Sequence, residues 1–515
     1  MSRLAEPNSF KIEIISRPRS LFQLAEEKFS SAPPIRRLFS LCRRSESESV
    51  VIEDVPAQDC VASENHALLA RFPDCKHVAL KRISFWKKKV EKEDDLKNCK
   101  SADCQGYALL KQDIVPSQKY DRWHVFEAVI PKYQHHHNYC PVSSSFKFRA
   151  GAKEFEVKGC LYAQQNTLNK ACAQVALRSL LATRLARPEL SYEEIDAFAR
   201  ELNPSFLPKN GLKTNQISHV LTRFGVDHLA MDYTAAPGMK TDFPFQKIIY
   251  SGIESGSGAL LAFSLSGPNA PQSGHIIPCF GHTFNEDAWA PQADSAYFRI
   301  GEVIKYIPSR AWLSSFIVHD DNFGANFCIP HSFLRPEQVR YAVELYPPKY
   351  AYSGAEAEIA SADYFYSLLP NLLDGLHQKN PWIRRLLEYV YQQKLILRSV
   401  AVSKTEYLDF IKSEEDWDGN REMPATVSAL KSQGPDELWM IEVSIPELFS
   451  TNKRKLGEIL LDAKNPIASK ANGQSFVLAR FPERYVFFDK LDKSGKPNFL
   501  TAPSNFKSHL SLLCR

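Results

Sequence analysis

The segment NKACAQVALRSLL, residues 169–181, sets one cysteine among small and aliphatic side chains just behind an asparagine. Apolar residues at 172, 175, 176, 180 and 181 recur at helical spacing, and Asn169 is an N-cap candidate. The segment therefore reads as a helix that begins near Cys172 and buries one face. A thiol is a useful nucleophile only as thiolate, a form favoured at a helix N-terminus and beside an imidazolium. A lone cysteine on an apolar helix is more often packing, so the downstream sequence has to decide.

Two further helices follow. SYEEIDAFARELN opens with a capping box, Ser191 with Glu194, and TNQISHVLTRFG runs from a Thr cap to a Gly225 stop. Strand candidates come next: HLAMDYT, ALLAFSLS, HIIPCFGHTF, AYFRIG and SFIVHDD. Helices first and strands second predict an α+β domain over 160–335.

Within that domain, SGHIIPCFGHTF places His275 after a glycine at the start of a strand, where its ring can face the helix. SFIVHDDNFG ends a later strand in Asp320 and Asp321, either of which can orient an imidazole through its second nitrogen. Nucleophile, base and orienting acid thus occur in the order Cys172, His275, Asp320. Each has a structural alternative. His275 can be satisfied by a backbone carbonyl, His282 or His319 can serve as base instead, and the aspartates can cap the turn before Asn322.

These motifs resemble the papain-like cysteine peptidases, most closely the double-glycine peptidase domain of bacteriocin exporters and its stand-alone relatives. The family's glutamine before the cysteine is matched by Gln164 and Gln165 in AQQNTLNKAC, its GH and later Gly by Gly274, His275 and Gly281, and its strand ending in aspartate by His319 and Asp320. Gln165 stands seven residues before Cys172, one more than is usual, so Asn166 is a rival for its place. Ala173 stands where glycine is common, and AYFRIGEVIKYIPS leaves room for an inserted strand pair. The resemblance implies a papain-like fold and a thiol-dependent hydrolase of a peptide or isopeptide bond. Cys172 would attack, His275 would move the proton, Asp320 would hold the ring, and Gln165 with the Cys172 amide would form the oxyanion hole. No metal or cofactor is implied. An acyltransferase or transglutaminase-like enzyme with the same triad, and a non-catalytic peptidase-like binding protein, remain alternatives.

The rest of the 515-residue chain is expected to form flanking regions. Residues 1–65 read as a poorly structured basic leader: residues 1–44 hold nine Arg and Lys against four Glu, which accounts for the formal net charge of +5. A near-neutral remainder argues against a nucleic-acid partner. Residues 66–159 read as β-rich through HALLARF, YALLKQDIV, RWHVFEAVI and the alternating SFKFRAGAKEFEVKG, and 336–515 as a mixed α/β region containing PWIRRLLEYVYQQKLI, ELWMIEVSI and SFVLARFPERYVFFD. The pentapeptide LARFP at 69–73 and 478–482 hints at two related β units, and AVELYPPKYAYSG reads as a linker or surface segment. HHHNYC, from His135 to Cys140, reads as a solvated loop. Cys75, His77, Cys99 and Cys104 do not have zinc-ribbon or zinc-finger spacing. Eleven irregularly spaced cysteines, no secretory h-region and no run of eighteen apolar residues lead to the expectation of a cytoplasmic protein without a transmembrane segment, acting on a polypeptide.

Overall fold

The computed structural model of the chain describes residues 12–16, 20–29, 32–131, 138–168, 171–207, 211–238, 243–264, 274–284, 306–372, 380–415, 419–421, 427–428, 431, 434–449, 454–465, 475–488, 497–500, 502–503 and 506–507. It is an α+β protein built on three large sheets, antiparallel except for one short parallel pair.

In chain order, the first part comprises β1 (Ile12–Ser16), α1 (Leu21–Lys28), α2 (Pro33–Arg44), β2 (Ser49–Asp54), α3 (Asp59–Arg71), β3 (Lys76–Trp86), α4 (Glu93–Asn98), β4 (Cys104–Val115), β5 (Tyr120–Ile130), β6 (Asn138–Tyr139), β7 (Ser144–Ala150) and β8 (Lys153–Tyr162). The second comprises α5 (Cys172–Leu185), α6 (Tyr192–Leu202), α7 (Thr214–Arg223), β9 (His228–Asp232), α8 (Phe245–Glu254), β10 (Ala259–Ser264), β11 (Gly274–Phe284), β12 (Ile307–Pro308), β13 (Leu313–Asp320), β14 (Gly324–Pro330) and β15 (Val339–Leu345). The third comprises α9 (Gly354–Leu372), α10 (Pro381–Tyr391), β16 (Ile396–Ser403), α11 (Lys404–Ser413), β17 (Glu437–Ser444), α12 (Pro446–Phe449), β18 (Arg454–Lys455), β19 (Gly457–Asp462), β20 (Phe476–Phe481), β21 (Arg484–Phe488) and β22 (Pro497–Leu500).

The sheets run β1-β2-β3-β4-β5-β8-β7, β14-β13-β11-β10-β15-β9 with β6 beside β11, and β12-β16-β17-β19-β20-β21-β22. Helix α5 lies between the first two, packing on β8 and on β11. It is therefore buried all round from Ala173 to Thr183, not on one face as its periodicity suggested. Leu177, Leu180 and Leu181 have no exposed surface, and each contributes about 1.5–3 kcal/mol. The one charge this places in the interior, Arg178, is fully occupied. It donates to the carbonyls of Leu190 and Phe126 and to the Glu127 carboxylate at 2.9 Å.

Several expectations are corrected. The expected leader is structured from Ile12. β1 pairs with β2, and α2 buries Ile35, Leu38, Phe39 and Cys42 at i, i+3, i+4 and i+7 behind its arginines. Dense charge concealed an amphipathic helix. HALLARF lies largely in α3, so the first LARFP is the end of a helix while the second is strand β20, and the pentapeptide marks no repeated unit. β8 belongs to the first sheet up to Tyr162, and β15 sits between β10 and β9, so the middle sheet extends past residue 335. AVELYPPKYAYSG is not a surface linker. Its first four residues end β15, and Tyr350 and Tyr352 are buried in the third region's core. Thr214 is the first residue of α7, whose cap is Lys213 with Gln216 accepting from its amide. The Ser191–Glu194 box and the left-handed Gly225 are as expected. AYFRIG and His135 to His137 lie outside the described residues.

The middle and third sheets are joined by a buried chain of alternating charge. Glu254 on α8 contacts His282 at 2.7 Å and Arg398 at 2.8 Å. Arg398 contacts Glu442, Lys455 bridges Glu442 and Glu458, and Arg480 contacts Glu458. Among the described residues, no helix is long and apolar enough to cross a membrane.

Candidate active site

Antiparallel neighbours in a sheet bring the start of one strand beside the end of the other. β11 and β13 are such neighbours, so His275 at the start of β11 and Asp320 at the end of β13 share one end of the middle sheet. The N-terminus of α5, packed on β11, brings Cys172 to the same end. His275 Nε2 is 3.1 Å from Asp320 Oδ2, and the Cys172 side chain lies near enough to the ring to favour its charged form. With Nε2 turned to the carboxylate, Nδ1 is the nitrogen left for the sulfur. Phe263, directly across the strand pair, holds the ring edge-on at 5.5 Å.

Asp320 does two jobs. Its Oδ1 accepts from the Asn322 and Phe323 amides at 2.8 and 3.1 Å, closing the turn into β14, while Oδ2 faces His275. The turn-capping alternative and the orienting role are thus compatible. Asp321 is a second carboxylate at 3.5 Å from the same His275 nitrogen.

The electrostatics follow from burial and these contacts. Burial opposes charge on His275, but the hydrogen bond to Asp320, the nearby Cys172 side chain and the negative charges of Asp321 and Asp320 outweigh it. The imidazole is raised to about 10. Burial likewise works against ionised Asp320, and its bonds to His275 and the two turn amides hold it below the usual carboxylate range. For Asp321, burial and the neighbouring Asp320 charge exceed the help from His275, and its carboxyl is pushed up to about 6.

The rival bases stand elsewhere. His282 is buried against Glu254 at the opposite end of β11, seven residues and so roughly 23 Å along the strand. His319 precedes Asp320 and therefore points to the other face of the sheet. It accepts from the Asn326 amide, packs against Tyr162, and burial lowers it to about 4, so it is neutral.

The loop before α5 separates the three oxyanion candidates. Gln164 accepts from the Val125 amide at 3.0 Å and so continues the first sheet. Asn166 is buried, donating to Glu64 at 3.0 Å and accepting from the Leu168 amide. Gln165 lines the cleft that holds Cys172 and His275. Thr167, lining the same cleft, has φ +56°, a left-handed value that costs a β-branched residue about 1–3 kcal/mol. The expected cap Asn169 lies outside the described residues. The N-cap position is Ala171, which offers no side-chain acceptor, so the first amides of α5 remain donors for whatever sits above Cys172.

The cleft measures about 780 Å³, and its far wall is aromatic: Phe263, Phe323, Phe327 and Phe333, with Ile329. Phe323 and Phe327 stack at 5.3 Å, and Phe323 and Phe333 remain more than half exposed. Sequence reasoning did not find this wall. Its signal was the apolar run Phe327 and Ile329 on β14, at alternate positions, with Phe323 in the turn just before that strand. Across Gln165 and Ala171 lies a second cavity of about 490 Å³, more polar, with Glu64, Glu193 and Asp196 in its wall.

No protein-family model matches the chain, and a search of curated proteins found no match.

Proposed function

We propose that the protein is a thiol-dependent hydrolase that cleaves a peptide or isopeptide bond, built on a papain-like α+β domain. The observation that carries the proposal is the imidazole of His275 facing Asp320 at 3.1 Å in the cleft that Cys172 also lines. In this reading the Cys172 sulfur adds to the carbonyl carbon. His275 gives its proton to the departing amine and then removes one from the water that opens the thioester. Asp320 keeps the ring in the orientation that serves both transfers. Gln165 and the Cys172 amide donate to the oxyanion, each worth about 3 kcal/mol in comparable enzymes. The size and aromatic wall of the cleft suit an extended polypeptide with bulky apolar side chains. All ten cysteines among the described residues are free, which suits the reducing cytoplasm.

The test is alkylation and cleavage by the full chain carrying Cys328→Ser, which removes an exposed thiol from the same cleft. A peptidyl electrophile should modify Cys172, more slowly in His275→Ala, and a denatured protein mixture should gain new N-termini that Cys172→Ala does not produce. Labelling indifferent to His275, with no new termini, would remove the proposal. New amine conjugates in place of new termini would move it to acyl transfer.

A further inference from the structure

Away from the cleft, the α3 face of the first sheet holds a compact set of groups that the proposed chemistry does not use. Cys75 lies in the turn from α3 into β3, and His77 pairs across the strands with Asp113 on β4. Lys111, two residues before Asp113 and so on the same face, pairs across with His124 on β5. Cys99 and Cys104 are not part of this set, because Cys104 pairs with Trp86 at the other end of β3, roughly 30 Å away.

We propose that Cys75, His77 and Asp113, with His124 as the fourth donor, form a divalent transition-metal site suited to zinc. Donor atoms of the first three lie within 4.8 Å of one another, and a tetrahedral zinc site with Zn–S and Zn–N bonds of ordinary length separates its donors by roughly 3.3–3.8 Å. Side-chain rotations bring these three onto one ion, and His124, outside that group but beside Asp113, has to swing in to complete the set. Independently of that spacing, His124 is 2 % exposed and neither of its ring nitrogens has a hydrogen-bond partner. Its Nδ1 is directed at Asp113 Oδ2 from 4.0 Å. His77 Nε2 is likewise buried and unpartnered, while its Nδ1 contacts Asp113 Oδ1 at 2.6 Å. Two imidazoles with vacant nitrogens around one carboxylate and one thiol are a donor set for a borderline-soft cation.

The charge count agrees. Glu64 and Asp113 bring two negative charges against one positive charge on Lys111, which sits 3.0 Å from each. These three groups together carry one net negative charge. A divalent ion that displaces the Cys75 thiol proton to solvent brings that sum to neutrality. Such an ion would also brace the candidate active site, because Glu64 holds Asn166, next in sequence to Gln165. The role assigned is structural.

The test uses the full chain carrying Cys172→Ser and His275→Ala, which removes the cleft thiol and breaks up His275, Asp320 and Asp321, a group close enough to share a cation of its own. Titration with cobalt(II) alone should give one saturable equivalent, with tetrahedral d–d bands and a thiolate-to-metal charge-transfer band, and zinc should displace it. Cys75→Ser should lose the charge-transfer band, and His124→Gln should weaken binding at least tenfold. Zinc-edge X-ray absorption on the unsubstituted Cys75 chain should show one sulfur donor among nitrogen and oxygen, which keeps the test decisive if a variant fails to fold. No saturable binding, a band unchanged in Cys75→Ser, or a first shell with no sulfur or several would overturn the site. None of these readouts depends on hydrolase activity.

Discussion

His275 Nε2 lies 3.1 Å from Asp320 Oδ2 and within 3.5 Å of Asp321 Oδ1, so one imidazole nitrogen faces two adjacent carboxylates of unequal acidity. Asp320 is held ionised by the ring and by two turn amides, whereas burial keeps a proton on Asp321 up to about pH 6. Asp320 should therefore be the orienting group. We predict that Asp320→Asn lowers kcat/KM by about 10²–10⁴, while Asp321→Asn stays within about tenfold and mainly alters the acid limb of the profile. Steady-state rates on a peptide identified by the cleavage assay decide this. A larger loss from Asp321→Asn would exchange their roles.

The raised imidazole carries a pH signature. The unfolded-state value of histidine is about 6.5 and the folded value about 10, so the protonated ring binds its site more tightly than it is held in the unfolded chain. Its contribution to stability is fully present below about pH 6.5 and is lost as pH rises toward 10. Asp321, also raised in the fold, adds a loss between about pH 4 and 6. Urea midpoints of the parent chain should fall from pH 7 to 10, with a shallower fall in His275→Gln. The alkaline limb of kcat/KM should lie well above 7. An alkaline limb near 6.5, with parallel midpoints for the two proteins, would contradict the assignment.

Gln165 and Asn166 are neighbours with different duties. Gln165→Ala should lower kcat by about 10²–10³ with little change in unfolding midpoint, the size of loss that follows removal of one oxyanion donor. Asn166 is buried on Glu64, so Asn166→Ala should instead destabilise the fold by about 1–3 kcal/mol, the cost of leaving a charged buried acceptor short of a donor. Parallel melting curves and initial rates separate the two. If Asn166→Ala loses rate at unchanged stability, the oxyanion role belongs there.

The order Cys172, His275, Asp320 was legible because each lies at an end of its element, and antiparallel pairing of β11 with β13 brings the last two together while the packing of α5 on β11 supplies the first. Rejection of His282 and His319 was not legible. One depends on which end of β11 faces α5, the other on which face of β13 is occupied, and a one-residue change of register would reverse the latter. The site near Cys75 was hidden for a similar reason. Cys75 and His77 are two residues apart, but Asp113 and His124 arrive by cross-strand register, which no local spacing encodes. The amphipathic helix within the basic leader was visible in principle, since Ile35, Leu38, Phe39 and Cys42 keep helical spacing. Its four arginines drew the reading toward disorder.

That helix has a consequence for the candidate site. Gly324, with φ +113°, ends the turn that carries Asp320, and a Cβ there would lie 2.7 Å from Arg37 Cβ and 2.8 Å from its Cγ. Arg37 in turn donates to the carbonyls of Ala325 and Asn326 at 3.1 and 2.5 Å, fastening α2 to β14. Gly324→Ala should therefore cost about 1–3 kcal/mol through the backbone conformation alone, and more through the clash. It should also lower kcat, because the Asn322 and Phe323 amides that fix Asp320 move with the turn. Arg37→Gly removes both of the side-chain atoms that clash but not the positive φ. The double variant should then be less destabilised than the two single effects added, by about 0.5–3 kcal/mol in a double-mutant cycle. Strict additivity, measured by urea unfolding of all four proteins, would show that α2 does not press on this turn, and that Asp320 is positioned without help from the basic segment.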